Sequence, residues 1–140
     1  MSRPRYVLSF VEDGWRSARV LSIALVQEAR VCVVHFIKGR VDPAVLRMVT
    51  PYPGMRIVPI ERLWFKVVRW LTLIAGLASR RVALILVDND RTWRFVQPAA
   101  RRWGVPVVLA DERYQQLLYQ WNGESIEASA VVQHLRERRR

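Results

Sequence analysis

The feature that most constrains this chain is a repeated alternation of short apolar runs with segments of helical periodicity. Five runs rich in Val, Ile and Leu are predicted strands, at residues 6–11, 31–37, 56–60, 82–87 and 105–109. Most are apolar at successive positions, which is typical of strands covered on both faces. Four segments between them carry helical periodicity, at residues 17–30, 43–49, 63–79 and 92–103. This order of elements predicts a parallel sheet wrapped by helices.

The alternation places the chain in the α/β class, with one doubly wound, mainly parallel sheet of five strands and a Rossmann-like arrangement. Beyond the fifth strand the sequence has an Asn122-Gly123 break and an extra C-terminal helix. We therefore assign residues 1–124 to a Rossmann-like domain and residues 125–140 to a basic C-terminal helix and tail. Strand order stays open, because flavodoxin-like and Rossmann-like sheets share this alternation.

The charge balance is the strongest compositional signal. The 140 residues include 23 Lys and Arg against 12 Asp and Glu, a net charge of +11. Only Lys38 and Lys66 are lysines, and arginine is the better bidentate partner for phosphate and carboxylate. The excess predicts an anionic partner, either phospholipid, nucleic acid or an acidic protein face. Nucleic acid is disfavoured because no helix-turn-helix or RNA-binding signature appears. A codon preference for arginine is the alternative explanation.

Cysteine content and run lengths limit the class further. The only cysteine, Cys32, excludes an internal disulfide and zinc sites built on several cysteines. We expect it to be a small buried residue of the second strand. The apolar run at residues 73–78 is far shorter than the ~20 residues that span a bilayer, and the N-terminus is a poor signal peptide. We expect a cytoplasmic protein without a metal or cofactor.

The loop after the first strand is one candidate ligand site. Ligands of open parallel sheets bind beyond the carboxyl ends of the strands. Gly14 allows a tight turn there, and Ser17 can cap the next helix so that free amides are aimed at an anion. We therefore predict ligand contacts from Gly14, Arg16 and Ser17. The alternative is an ordinary strand-to-helix turn, since the loop has no GxGxxG pattern.

The fourth strand ends in a second polar group, formed by Asp88, Asn89 and Asp90. One of these side chains is expected to cap the following helix. Three adjacent polar residues exceed what a cap requires, so we also predict a hydrogen-bonding site for a polar ligand here.

The fifth strand is followed by Asp111 and Glu112, which are the weak candidates for a catalytic group. Either carboxylate could act as a base, or could simply pair with Arg113. If the fourth and fifth strands are neighbours, Asp88 and Asp111 would face one crevice.

The two histidines do not indicate a catalytic site. His35 lies within an apolar strand and is expected to be a packed, hydrogen-bonded core residue, whereas His134 on the last helix is expected to be solvated. No Ser/His/Asp or Cys/His constellation has the spacing that nucleophilic catalysis needs.

The segment at residues 61–81 is the most unusual of the chain. Its cations recur at i, i+4 and i+7 and form one narrow basic stripe, of Arg62, Lys66 and Arg69. The rest of its circumference is apolar and includes the aromatic residues Trp64, Phe65 and Trp70. So wide an apolar arc predicts contact with the sheet on one side and with another apolar surface on the other. We predict that these six residues dock onto a partner subunit or onto a membrane, whose headgroup layer favours Trp and Arg. Burial under neighbouring elements is the alternative.

Taken in order, these features resemble the N-terminal, acceptor-side Rossmann domain of GT-B-type glycosyltransferases, and most nearly the dolichol-linked chitobiose mannosyltransferases. The resemblance rests on residues 7–19, 83–90 and 105–112. It implies that Gly14 and Asp111 border an acceptor site, and that the hydrophobic and basic helix docks on a membrane. In that family a second, C-terminal domain holds the sugar nucleotide, and a histidine often stands near the fifth strand.

These features together predict a function without independent catalysis. We expect no second domain in these 140 residues, and Asp111 and Glu112 stand in place of the family histidine. We expect a non-catalytic, glycosyltransferase-like subunit that docks through its basic, Trp-rich helix onto a larger, membrane-associated protein complex, peripheral at the membrane. The alternative is the acceptor-side half of a split GT-B enzyme that a partner chain completes. A phosphoreceiver domain is less favoured, because no lysine follows the fifth strand.

Overall fold

A computed structural model gives the structure of residues 5–12, 16–39, 43, 44, 47, 52–113, 116–121 and 123–138. Its elements are, in chain order, β1 (Tyr6–Val11), α1 (Arg16–Glu28), β2 (Cys32–Lys38), β3 (Met55–Ile60), α2 (Phe65–Ser79), β4 (Val82–Val87), α3 (Asp90–Arg102), β5 (Val107–Arg113), β6 (Gln116–Trp121), β7 (Glu124–Ile126) and α4 (Ala128–Arg138). Of the helix expected at residues 43–49, the described residues 43, 44 and 47 are helical, and the others lie outside the described part.

The sheet has seven strands in the order β3-β2-β1-β4-β5-β6-β7. The five strands β1 to β5 pair in parallel, whereas β6 and β7 are antiparallel. The predicted α/β class is therefore confirmed, and the order of the parallel strands is the Rossmann-like one. The chain winds outward in one direction from β1 and in the other from β4, so the sheet has its switch point between these two strands.

The expectation of five strands is wrong, because the chain after β5 folds back twice. Arg113 of β5 pairs with Gln116 of β6, and a connection this short permits only antiparallel pairing. Trp121 of β6 pairs with Glu124 of β7 across Asn122-Gly123, a dipeptide that favours two-residue hairpins. Gly123 has the positive φ, +84°, that such a turn requires. Asn122-Gly123 is therefore the sequence signal of a hairpin and not only a break between elements.

Helices cover both faces of the sheet, as the successive apolar positions of the strands predict. On one face α1 and α4 supply Leu25 and Leu135 to one apolar cluster. On the other face α2 and α3 supply Leu73 and Val96 to a second cluster. All six residues of β4 are buried between the two layers.

The C-terminal helix α4 belongs to this packing. Its residues Val131, Val132 and Leu135 are buried in the cluster that α1 also joins. At its C-terminus the guanidinium Nη2 of Arg5 donates a hydrogen bond of 2.8 Å to the carbonyl of Leu135. A cation at this end of a helix also interacts favourably with the helix dipole.

A glycine sets the close approach of α2 to the sheet. A Cβ atom placed on Gly76 would lie 2.8 Å from Cδ1 of Leu8 and 3.2 Å from Cγ2 of Val82. A Cβ atom here would force the side chains of Leu8 and Val82 to shift, so the glycine allows α2 to lie close against β1 and β4. This approach brings α2 within reach of the residues that end β1 and β4.

Candidate functional site

The candidate site lies at the carboxyl ends of β1 and β4, where the winding of the sheet reverses. Open α/β sheets bind their ligands in the crevice at this point. Glu12 directly follows β1, and Asp88 and Asn89 directly follow β4. The residues of two distant chain segments therefore meet at the place where the fold positions a ligand.

A hydrogen-bond network connects these two strand ends. The carboxylate of Asp88 accepts the backbone N–H of Glu12, at 2.9 Å to Oδ2 and 3.1 Å to Oδ1. The amide Nδ2 of Asn89 donates to Glu12 Oε2 at 3.1 Å and to Asp88 Oδ1 at 3.2 Å. The amide oxygen of Asn89 accepts the backbone N–H of Thr92 at 2.7 Å and so caps α3. One side chain thus begins the helix and holds both carboxylates.

Arg69 of α2 completes the network from the helix layer. Its Nη1 donates to Glu12 Oε1 at 2.9 Å and to Thr92 Oγ1 at 3.3 Å. The side chains of Arg69 and Glu12 are only 6% and 5% exposed. The guanidinium also lies over the rings of Phe95, at 4.2 Å, and Phe65, at 5.7 Å. Arg69 is therefore a buried cation that is held by one carboxylate and two aromatic rings.

Burial and charge act in opposite directions on this arginine. Burial lowers the pKa of Arg69, the negative charge of Glu12 raises it, and the positive charge of Arg91 lowers it. Arginine nevertheless keeps its proton in proteins, so Arg69 stays positively charged. Burying two charges is costly, and the short ion pair and the additional hydrogen bonds oppose that cost, while Nε of Arg69 has no hydrogen-bond partner among the described residues.

The network determines what this crevice can do chemically. A phosphate would need free backbone amides and positive charge at the start of α3. Here Asn89 already caps a backbone amide of that helix, and the carboxylate of Glu12 lies beside it, so the site does not suit a phosphate. The carboxylate of Asp88 accepts a hydrogen bond from a backbone amide, and Arg69 forms an ion pair with Glu12. In the described part of the crevice, these polar side chains form hydrogen bonds with one another and so join α2, β1 and β4.

The predicted ligand residues meet here only in part. Asp88 and Asn89 are in the network, whereas Asp90 is exposed in the first turn of α3. Gly14 lies outside the described residues, and for Arg16 and Ser17 the backbone of α1 is all that is described.

The two candidate catalytic residues lie within a strand. Asp111 and Glu112 belong to β5, which continues past residue 109 and pairs with β6. The predicted end of this strand is therefore wrong, because the returning β6 extends the ladder. The strand that Asp88 follows and the strand that contains Asp111 are neighbours, which is the condition that the shared crevice required. The side chain of Glu112 lies outside the described part.

The predicted docking residues divide between the inside and the outside of the molecule. Arg62, Trp64, Lys66 and Trp70 are exposed, whereas Phe65 and Arg69 are buried and cannot reach a partner. The buried positions of α2 follow one another at i+4, as Phe65, Arg69, Leu73 and Leu77. This row of otherwise apolar residues is the signal that could have placed Arg69 inside, and we missed it along with the roles of Glu12 and Thr92.

An apolar surface lies on the outer side of α2. Six large apolar side chains are between 40% and 87% exposed there, and we call them the α2 face: Leu63, Trp64, Val67, Trp70, Leu71 and Ile74. The exposed cations Arg62 and Lys66 lie beside it, and Arg80 and Arg81 follow the end of the helix. The ring of Trp70 also meets that of Phe95 edge to face at 5.7 Å, which links α2 to α3.

The histidines occupy different surroundings. His35 is fully buried and its Nδ1 lies 2.8 Å from Oγ of Ser9, its partner across β1 and β2, so the expected core histidine is confirmed. Burial lowers the pKa of His35 from 6.5 to about 3, so it is neutral at physiological pH. His134 packs edge to face on Trp121 at 4.5 Å and is half-buried, so the expectation of a solvated ring is wrong. Cys32 is half-buried at the start of β2, where we expected a buried residue.

A cavity of about 590 Å³ lies at the opposite end of the sheet from the network, before β5 begins. Its walls include Gln97 and Arg101 of α3, Trp121 of β6 and His134 of α4. It shares no residue with the crevice of Glu12 and Asp88.

Among the described residues, no helix is both long enough and apolar enough to cross a bilayer. No protein-family model matches the chain, and neither the curated proteins nor the solved structures contain a match to it. The class that the fold defines is a Rossmann-like α/β protein, and the described polar side chains at its switch point bond to one another.

Proposed function

We propose that this chain is a non-catalytic subunit of a membrane-associated assembly, and that the α2 face attaches it to an anionic bilayer surface. The observation that carries this proposal is the α2 face itself, six large apolar side chains exposed on α2 and on the two residues that precede it. A protein that remains alone in water rarely exposes a contiguous apolar patch of this kind.

The apolar side chains suit the headgroup layer of a membrane. Indole rings favour this layer, and Trp64 and Trp70 are both exposed. A helix that lies in the plane of the bilayer buries its apolar face by about 5–10 Å, the depth that one row of side chains fills. Leu63 and Leu71 are the two most exposed members of the α2 face, and they would enter the acyl region.

The charge around the α2 face selects an anionic surface. Arg62 and Lys66 lie beside the apolar side chains, and Arg80 and Arg81 follow the helix. Each such cation near an anionic membrane contributes about 1 kcal/mol to binding. A second copy of this chain is a poor alternative occupant, since each copy carries a net charge of +11.

The state of the crevice supports a role without catalysis. In the GT-B resemblance, Asp111 would border an acceptor and the first loop would hold part of it. The described crevice is instead filled by the hydrogen bonds of Glu12, Asp88 and Asn89. We propose that the glycosyltransferase-like scaffold is retained here as a support for α2.

Vesicle flotation tests the proposal. The chain should float with phosphatidylcholine vesicles that contain phosphatidylglycerol, and should do so more strongly at low salt, because salt screens the charges. The variant Trp64→Ser/Leu71→Ser should stay unbound, since it removes two of the most exposed apolar side chains.

The matched control is Trp103→Ser, which removes an exposed indole after α3, outside the α2 face. It should float like the original chain. Equal flotation of Trp64→Ser/Leu71→Ser and the original chain, with both folded by circular dichroism, would refute membrane attachment by α2.

A further inference from the structure

A row of arginines lies on the outer side of α3. Four arginines of this helix are exposed, and we call them the arginine row: Arg91, Arg94, Arg101 and Arg102. No ion pair joins any of them to a residue in the ranges that the structure describes. Four cations on one 13-residue helix repel one another, and an approaching anion relieves this repulsion.

Helix geometry shows where the arginine row points. At about 100° per residue, the four arginines fall within an arc of roughly 100°. The buried residues of α3, which are Thr92, Val96 and Ala100, lie on the opposite side of the helix. The arginine row is therefore directed away from the sheet.

The arginine row and the α2 face lie on the same side of the molecule. Helices α2 and α3 cover one face of the sheet and share one apolar cluster. The edge-to-face contact of Trp70 with Phe95 places the two helices side by side. The α2 face likewise lies on the side of α2 opposite the buried Phe65 and Arg69. One outer surface thus carries an apolar strip next to a cationic strip.

We infer that the arginine row binds the phosphate groups of anionic phospholipids while the α2 face is inserted beside it. The inference rests on the proposed function and assigns the part of it that recognises lipid headgroups. A guanidinium forms two parallel hydrogen bonds to a phosphate, which a lysine ammonium cannot do. Phosphates and acyl chains adjoin in a bilayer, as the two strips adjoin on this surface.

Nucleic acid also offers phosphates to arginine. A nucleic-acid backbone would satisfy the arginine row but would leave the α2 face in water, at its full exposure. The bilayer covers both strips at once, and the apolar contact contributes in proportion to the area removed from water. The neighbouring α2 face therefore favours the lipid surface.

The test compares two variants that remove the same charge from different sides of the molecule. Arg94→Gln/Arg102→Gln removes half of the arginine row. It keeps Arg91, whose charge lowers the pKa of Arg69, and Arg101, which borders the cavity. Arg56→Gln/Arg136→Gln removes two exposed arginines from the edge strand β3 and from α4. Partitioning is measured by co-sedimentation with phosphatidylcholine vesicles, with and without phosphatidylglycerol.

We expect Arg94→Gln/Arg102→Gln to weaken partitioning onto the phosphatidylglycerol vesicles by roughly 25-fold, about five-fold for each arginine. Its partitioning onto pure phosphatidylcholine should be unchanged, and Arg56→Gln/Arg136→Gln should have a several-fold smaller effect. Arg94→Lys/Arg102→Lys should recover only part of the loss, because it restores charge without the bidentate geometry.

Equal losses in the two double glutamine variants would overturn the inference, since charge alone would then explain the binding. The proposed function would survive that result if Trp64→Ser/Leu71→Ser still abolished binding. Binding to a short duplex DNA that depends on Arg94 and Arg102, with no binding to vesicles, would overturn both and would assign the arginine row to nucleic acid.

Discussion

Arg69 on α2 and Glu12 at the end of β1 form a buried ion pair, with 2.9 Å between Nη1 and Oε1, although they lie 57 positions apart in the chain. The pair joins the helix that carries the proposed membrane contact to the switch point of the sheet. It also fills the crevice where an open α/β sheet would hold a ligand. One contact thus ties the inner side of α2 to the switch point of the sheet.

The ion pair is expected to stabilise the fold mainly by keeping two buried charges satisfied. Glu12→Leu would leave the Arg69 guanidinium buried without its carboxylate and should lower the free energy of unfolding by about 3–5 kcal/mol. Replacing both partners, as in Glu12→Leu/Arg69→Met, should lower the free energy of unfolding much less, because no unpaired charge then remains buried. Urea unfolding of both variants measures this, and a double variant as unstable as the single one would contradict it.

Stability should depend on pH through His35. Its pKa is about 3 in the folded state against 6.5 ordinarily, so the unfolded chain binds a proton at a higher pH than the folded one. The stabilisation is therefore complete above pH 6.5 and decreases as the pH falls toward 3. Between pH 7 and pH 5 we expect a loss of about 2 kcal/mol.

The comparison that isolates this effect is Ser9→Ala/His35→Leu, which replaces both hydrogen-bonded partners by apolar residues. Its free energy of unfolding, measured by urea titration at each pH, should lack the histidine part of the decline. If the original chain and this variant lose stability in parallel from pH 7 to pH 5, His35 is not the titrating group.

Asn89 should stabilise the fold more than an ordinary helix cap does, because it also donates a hydrogen bond to Glu12. Asn89→Ala removes the 2.7 Å bond to the Thr92 amide and the 3.1 Å bond to Glu12. We expect thermal unfolding to show a loss of about 1–2 kcal/mol. The control Asp90→Ala, in the first turn of the same helix, removes only a favourable charge and should cost about 0.3–1 kcal/mol. A larger loss for Asp90→Ala would refute the role of Asn89.

Tryptophan fluorescence should report the membrane contact directly. Trp64 and Trp70 are exposed to water, so their emission should shift to shorter wavelength when the α2 face enters phosphatidylglycerol vesicles. The shift should diminish as salt is added, because screening weakens the attraction of the cations. Trp64→Phe/Trp70→Phe should bind with little shift, whereas an undiminished shift in this variant would assign the signal to other indoles.

The parallel part of the fold follows from local patterns. The predicted strands at residues 6–11 and 82–87 coincide with β1 and β4, because a strand buried on both faces has the same uninterrupted apolar composition wherever it packs. The hairpin of β6 and β7 was missed, although Asn122-Gly123 indicates one, because its strands alternate weakly and lie at the edge of the sheet.

The candidate site could be anticipated only piece by piece. Asp88 and Asn89 are recognisable from their place after a predicted strand, since parallel strands present their carboxyl ends at one edge. Their contacts with Glu12 depend on strand order, which the alternation leaves open. The contact with Arg69 depends in addition on the rotation of α2, because the sequence places Arg69 in the same basic stripe as the exposed Arg62 and Lys66.

The sequence by itself therefore determined the α/β class, the parallel strands and the wide apolar arc of α2, because each arises from residues close together in the chain. Only the tertiary structure decided that Arg69 lies inside while Lys66 and Trp64 lie outside. The reason is that burying a cation in an apolar layer is strongly destabilising unless a carboxylate pairs with it. That carboxylate, Glu12, follows a strand that is far from α2 in the sequence.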